Sequence, residues 1–286
     1  MSEIRTILVP LDDAAIERKI FERALKLGRH FDAAVEALHV SPLPRPSDPG
    51  WEALTKRGMG FAVTEDAMRE AKRAEERIRA AFDSICKSEG VAEETPPEGT
   101  NFTARFAVAG GTEELVVATR ARISDLVVTS RGSAEGEVSE TIEAVLTEGG
   151  RPVLVLPRGD HVPLQGTCVV AWNGRPEAAR AVAFALPFLK AAAQTIVLEV
   201  DDAGARRGLS AKSVAQYLAS HGVAARDQSA RKSGTIGATL VRAARNNQAN
   251  LLVMGGAAYS RLRRMIFGGV TRDVIEETDI PVLMAN

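Results

Sequence analysis

Residues 254–271, MGGAAYSRLRRMIFGGVT, concentrate residue types that bind anions. Gly255 and Gly256 follow a short apolar run, and Gly268 and Gly269 lead into a helical pattern that begins at Val270. Glycine permits positive φ and lets backbone amides approach a ligand closely. A helix start has amide donors without intrahelical partners and a partial positive charge, the combination that holds phosphate. Arg261, Arg263 and Arg264 add charge between the two glycine pairs, and Thr271 adds a hydroxyl. The alternative is that the glycines only make turns and the arginines form a solvated face. On physical grounds alone both readings stand.

Other chemistries leave no comparable trace. The chain has no GxxxxGK[ST], no GxGxxG between a strand and a helix, no SGGxDS and no GxSxG, so P-loop, dinucleotide-binding, ATP-pyrophosphatase and nucleophile-elbow chemistry are not expected. His30, His39, His161 and His221 are scattered without a carboxylate or cysteine at ligand spacing, and no metal site is expected from them. Cys86 and Cys168 lie far apart with no CxxC pair and read as small buried apolar side chains. Cysteines used in this way, with an amino end lacking a secretory apolar run, favour a reducing compartment, the cytoplasm. A formal charge of −1 gives no global pull toward nucleic acid or anionic membrane. The apolar run from Ala181 to Leu189 falls short of the ~20 residues that span a bilayer. With 45% hydrophobic and 26% charged residues, the composition is that of a soluble globular protein.

The elements that must position the glycine-rich segment follow from periodicity. The strand Ile7-Leu8-Val9 is followed by a helix with Ile16, Ile20, Phe21, Ala24 and Leu27 on one stripe. A strand over 33–40 precedes the Pro-rich insertion 41–60, whose composition excludes regular structure. A long helix over 65–87 carries a stripe of Met68, Ala71, Ile78, Phe82 and Ile85. Strands at 103–108, 125–129 and 152–156 then alternate with helices at 112–121 and 138–146. From about Val162 the order β-α-β-α-β-α-β-α-β starts again, ending in the strand PVLMA. TILVPLDD matches CVVAWNGR, EALHV matches VLEV, DLVVTS matches NLLVMG, and RPVLVLP matches IPVLMAN, a repeat with a period of about 160 residues. Strands separated by helices imply two tandem doubly wound α/β domains, at 1–158 and 162–286, with parallel sheets covered on both faces. Ligands in such folds sit beyond the carboxyl ends of the strands.

The repeated order and the ending MGGAAYSRLRRMIFGGVTRDVIEETDIPVLMA resemble the universal stress protein family. The resemblance implies a five-stranded parallel sheet of order 3-2-1-4-5 in each half. It also implies pairing of the halves through their last strands, RPVLVLP and IPVLMAN, as an internal pseudo-dimer, with further homodimerisation open. ATP-binding members carry G-x2-G-x9-G followed by Ser or Thr. On this chain the first glycine is Gly255, the second position is Ala258, the third is Gly268 and the hydroxyl position is Gly269, with Val270 and Thr271 continuing the match. The family's adenine-side aspartate falls on Asn173 and its apolar adenine contact on Val200. In the first half the corresponding residues are Asp12 and Val40, and Gly136 and Ser139 resemble the end of the motif. Gly136 lies only seven positions after Thr129, against fourteen from Met254 to Gly268, and Glu135 and Glu137 stand in the shortened loop. The first site is therefore expected to be vestigial. The resemblance implies a stress-response protein that binds ATP, with Mg2+, in the C-terminal domain, and that senses or signals to protein partners rather than catalyses. A nucleotide-free interaction module and a slow ATP hydrolase are the alternatives.

Overall fold

Apolar runs become strands here because helices cover both faces of the sheet that they build. The structure is a computed structural model that describes residues 3–12, 15–42, 65–95, 99–131, 139–201, 208–256 and 268–286. In the first half the order is β1 (Thr6–Pro10), α1 (Ala15–Phe31), β2 (Ala34–Ser41), α2 (Glu65–Glu89), β3 (Ala104–Gly110), α3 (Glu113–Ala121), β4 (Leu126–Ser130), α4 (Glu140–Ala144) and β5 (Val153–Leu156). A π-helical turn, Val145–Gly149, extends α4. The second half runs β6 (Thr167–Trp172), α5 (Pro176–Ala191), β7 (Gln194–Asp201), α6 (Ala211–Ser220), β8 (Ala225–Arg231), α7 (Ile236–Asn246), β9 (Ala249–Gly255), α8 (Gly269–Glu277) and β10 (Val282–Ala285).

These strands form one sheet of ten, in the order β3-β2-β1-β4-β5-β10-β9-β6-β7-β8. Each half thus has the expected order 3-2-1-4-5. The seam is antiparallel, with Val155 opposite Val282, Leu154 opposite Leu283 and Val153 opposite Met284, so RPVLVLP and IPVLMAN are the edges that meet. Strands β4, β5 and β10 are buried throughout. The outer strand β8, ARDQSAR, is charged and half-exposed, which protects a free edge from pairing with other chains.

Alternate residues along each strand feed two cores, one on each face. Leu154 and Leu156 join Ile20 of α1, Phe82 of α2, Phe188 of α5 and Leu218 of α6. Val153 and Val155 join Val117 of α3, Ile142 of α4, Leu240 of α7 and Val274 of α8. The first core crosses the seam, where the Phe31 and Phe188 rings meet edge to face at 5.0 Å between centroids. The linker is also tied down: Arg23, 2% exposed on α1, donates to the Pro157 carbonyl at 2.7 Å and to that of His161.

The ladders bear out the correspondence of Asp12 with Asn173, and one expectation needs correction. Laid end to end, TILVPLDD and CVVAWNGR put Asp12 opposite Gly174. The ladders shift that match by one. Ile7 pairs with Val35 and Leu126, while Cys168 pairs with Thr195 and Leu251, so Ile7 corresponds to Cys168 and Asp12 to Asn173. The long helix is apolar over less of its length than its stripe suggests. Ile78, Phe82 and Ile85 are buried, but Met68 is 50% exposed. The turns around Met68 are exposed, and ion pairs such as Arg69–Asp66 and Lys72–Glu76 dress them. Residues 43–64, most of the Pro-rich insertion, lie outside the described residues.

Candidate functional site

The carboxyl ends of β6 and β9 bring together the starts of two helices. Gly255 ends β9 against the first turn of α5. A Cβ there would lie 2.7 Å from the Ala178 amide nitrogen and 2.8 Å from the Glu177 carbonyl carbon. Both are backbone atoms, so close packing alone demands glycine. Gly256 is buried and donates to the Ala285 carbonyl at 2.8 Å, and a Cβ on it would meet a Leu146 methyl at 3.0 Å. Packing therefore accounts for Gly255 without a ligand, whereas at Gly256 only a leucine methyl would have to give way.

The second pair differs. Gly268 is the N-cap of α8, with φ −63 and ψ 148, and makes no side-chain cap. Among the described residues, a Cβ on Gly269 would meet nothing within 4 Å. Both residues are exposed. The Thr271 and Arg272 amides turn back to the Gly268 carbonyl at 3.0 and 3.3 Å, which leaves the preceding amides outside the helix's own bonding. Val270 is half-buried, whereas Thr271 is 2% exposed and turned into the core. Helix α5 also begins without a side-chain cap, with Arg175 at its N-cap and Pro176 in its first turn. By contrast, Ser210 caps α6 by accepting from the Ser213 amide, and Thr235 caps α7 through the Ala238 amide. The uncapped starts of α5 and α8 are the anion-seeking feature of this end.

Asn173 is exposed beside them, its Oδ1 accepting from the Arg175 amide at 3.1 Å. Val200 is half-buried and packs against the second core. Trp172 donates through Nε1 to the Leu209 carbonyl at 2.7 Å, and a Cβ on Gly208 would stand 3.2 Å from the Gly174 carbonyl oxygen. Gly208 and Leu209 thus rest on the Trp172–Gly174 turn. Ala258, Arg261, Arg263 and Arg264 lie outside the described residues.

The equivalent end of the first half is acidic. Asp12 is exposed, and Val40 packs against the second core. Ser130, 4% exposed, occupies the position of Gly255 and donates to Glu17 Oε1 at 2.7 Å. Glu17 Oε2 is buried and has no hydrogen-bond partner among the described residues. Burial pushes the Glu17 carboxyl up to about 7, opposed by the Ser130 hydrogen bond and assisted by Asp12 and Glu113. Glu113 in turn accepts from the Thr141 hydroxyl at 2.9 Å. Ser139 caps α4 by accepting from the Thr141 amide at 3.3 Å, occupying a donor that a phosphate would need. Burial, with Glu140 nearby, also raises Glu143. Such a field repels an anion. Gly136 lies outside the described residues. Sequence reasoning missed Glu17, whose only signal is an acidic residue in a first helical turn, a common complement to the helix dipole.

Among the described residues no group of three or more His, Cys, Asp and Glu could hold a metal ion. Burial pushes both thiols, Cys86 and Cys168, up to about 12. No described helix is long and apolar enough to cross a membrane.

Two doubly wound halves joined through their fifth strands define a tandem α/β protein with one potential ligand end in each half. The universal stress protein family profile matches residues 3–157 and again 166–286, and the chain belongs to that family. No sequence among the curated proteins matches it. Among solved structures, a universal stress protein from Archaeoglobus fulgidus DSM 4304 is 15% identical, with a TM-score of 0.73 over 98% of this chain and 96% of that one. A putative universal stress protein from Pseudomonas aeruginosa UCBPP-PA14 is also 15% identical, with a TM-score of 0.58 over 99% and 94%. A universal stress protein solved in complex with cAMP is 20% identical over 43% of this chain and 98% of that one, with a TM-score of 0.35.

Proposed function

We propose that the chain binds an adenine nucleotide, ATP with Mg2+, at the ligand end of its second half, and that it senses or signals in the cytoplasm rather than catalyses. The halves are taken as two domains, 1–158 and 162–286. The observation that carries the reading is the open, uncapped start of α8 at Gly268 and Gly269, beside the equally uncapped start of α5. Helix-start amides would hold phosphate, Arg261, Arg263 and Arg264 would add charge, and Asn173 and Val200 would face the base. A general base within the glycine-rich segment is missing from the sequence, which argues against efficient hydrolysis.

A second reading, a nucleotide-free module that binds protein partners, is favoured by a specific observation. Packing alone explains Gly255, and the Asn173 amide oxygen is already engaged in its own turn.

Calorimetric titration of nucleotide-stripped protein with Mg-ATP separates the two. Binding of about one nucleotide per chain, abolished in Gly269→Val and unchanged in Asp12→Ala, supports the first reading. Among the described residues nothing lies within 4 Å of a Cβ at Gly269, so the variant is expected to keep the fold. No heat at two temperatures supports the second, and equal loss from both substitutions overturns the assignment to the second half.

A further inference from the structure

The first half has not simply lost an anion site. In the position where the second half brings β9 directly against α5, it places a serine hydroxyl, a carboxyl and a second hydroxyl–carboxyl pair. Ser130 at the end of β4 holds Glu17 Oε1 at 2.7 Å, and Thr141 of α4 holds Glu113 Oε1 of α3 at 2.9 Å. Ser130 and Thr141 are 4% and 5% exposed. Glu17 Oε2 is shut off from solvent with no partner among the described residues. Among the described residues, the charged groups that act on Glu17 are Asp12, after β1, and Glu113. Glu140 and Glu143 stand on α4, and the neighbouring Arg131 points away, donating to the Glu276 carbonyl of α8 at 3.3 Å.

We propose that this end of the first half is a proton-responsive site, where one proton on Glu17 sets how firmly the first turn of α1 is held against the ends of β4 and α3. With the proton present, the buried carboxyl is neutral and is not repelled by Asp12 and Glu113. Without it, an anion with one unsolvated oxygen faces Asp12 and Glu113, and the favourable response is for the α1 turn to open toward water.

The sign follows from linkage. Burial raises the carboxyl from its ordinary 4.5 to about 7 in the closed form, so the closed form binds the proton more tightly than the open one. Closure is therefore strongest below pH ~4.5, weakens as pH rises toward about 7, and is constant above that. Between pH 6 and 8 this predicts about tenfold more opening. Neither a nucleotide nor the second half's chemistry enters the argument.

The test uses the full chain without nucleotide. Hydrogen exchange of peptides covering the first turns of α1 is measured from pH 5 to 9, corrected for the intrinsic rate, in the wild type, Glu17→Gln and Ser130→Ala. Carboxyl infrared titration is recorded in parallel. The expected result is about tenfold loss of protection between pH 6 and 8 and a protonated-carboxyl band with a midpoint near 7, both absent in Glu17→Gln. Ser130→Ala, which removes the hydrogen bond that favours the anion, moves the midpoint upward and supplies the test if Glu17→Gln does not fold. Identical pH dependence in all three proteins, or the absence of a band titrating near neutrality, overturns the proposal.

Discussion

Alanine at Gly255 and alanine at Gly269 should have opposite effects on stability. At Gly255 the new methyl would stand 2.7, 2.8 and 2.9 Å from Ala178 and Glu177 atoms, two of them backbone. Strand β9 or the first turn of α5 must then move, and overpacking of this kind costs about 1–3 kcal/mol. Because a rigid backbone cannot yield as a side chain does, the upper part of that range is expected, about 2–3 kcal/mol. At Gly269 the methyl meets nothing among the described residues, and the residue opens a helix. Replacing glycine there restricts the unfolded chain and should stabilise by about 0.5 kcal/mol. Guanidinium unfolding followed by tryptophan fluorescence and by far-UV circular dichroism would measure both, with the denaturant slope checked for constancy. In a thermal scan the Gly255 variant should melt roughly 5–10 °C lower. A Gly255→Ala protein within half a kcal/mol of wild type would refute the packing explanation. The glycine would then have to be explained by a ligand.

Two further predictions rest on buried ionisable groups. Glu36, 8% exposed on β2, accepts from Arg120 of α3 through Nε at 2.5 Å and Nη2 at 2.9 Å, and also from Arg105 of β3. Burial alone would raise its carboxyl, but the two guanidiniums outweigh this and hold it below the ordinary range. Glu36→Gln should cost about 1–2 kcal/mol at neutral pH, since both arginines can partly return to water. A depressed carboxyl stabilises above the unfolded range and loses that effect as pH falls, so urea unfolding at pH 7 and pH 3 should show the variant and wild type converging in acid. Cys86 and Cys168, pushed up to about 12 by burial, should resist a thiol reagent at pH 8 in the native protein and react once it is unfolded. Rapid native labelling of either would contradict that burial.

The α/β order, the strand positions and the edges that form the seam were legible because apolar runs and helical stripes are local signals. β10 could be matched to β5 from PVLVL and PVLMA alone. Register was not legible to the residue. Ile7 and Cys168 occupy one sheet position, yet aligning apolar letters places them one apart, because neighbouring positions in a strand buried on both faces have similar side chains. Met68 shows a different limit: its spacing fits the stripe of α2, but periodicity does not say which turns of a helix are covered. At the site, the glycine pairs look alike in sequence and differ only through what surrounds them, α5 backbone at Gly255 and, among the described residues, open space at Gly269. Glu17 was invisible for the same reason, since its partner Ser130 is 113 residues away.

The antiparallel seam has a geometrical consequence. Within each half all strands run with its fifth strand, and β5 and β10 run against each other. The carboxyl ends of the two halves therefore open on opposite rims of the sheet. In a dimer of identical subunits every substitution would appear on both rims. Here both rims belong to one polypeptide, and each can change alone. One rim bears Asp12, Glu17, Glu113 and Glu140, and the other the bare helix starts of α5 and α8. A single chain with two like-ordered halves thus carries two chemically unlike rims.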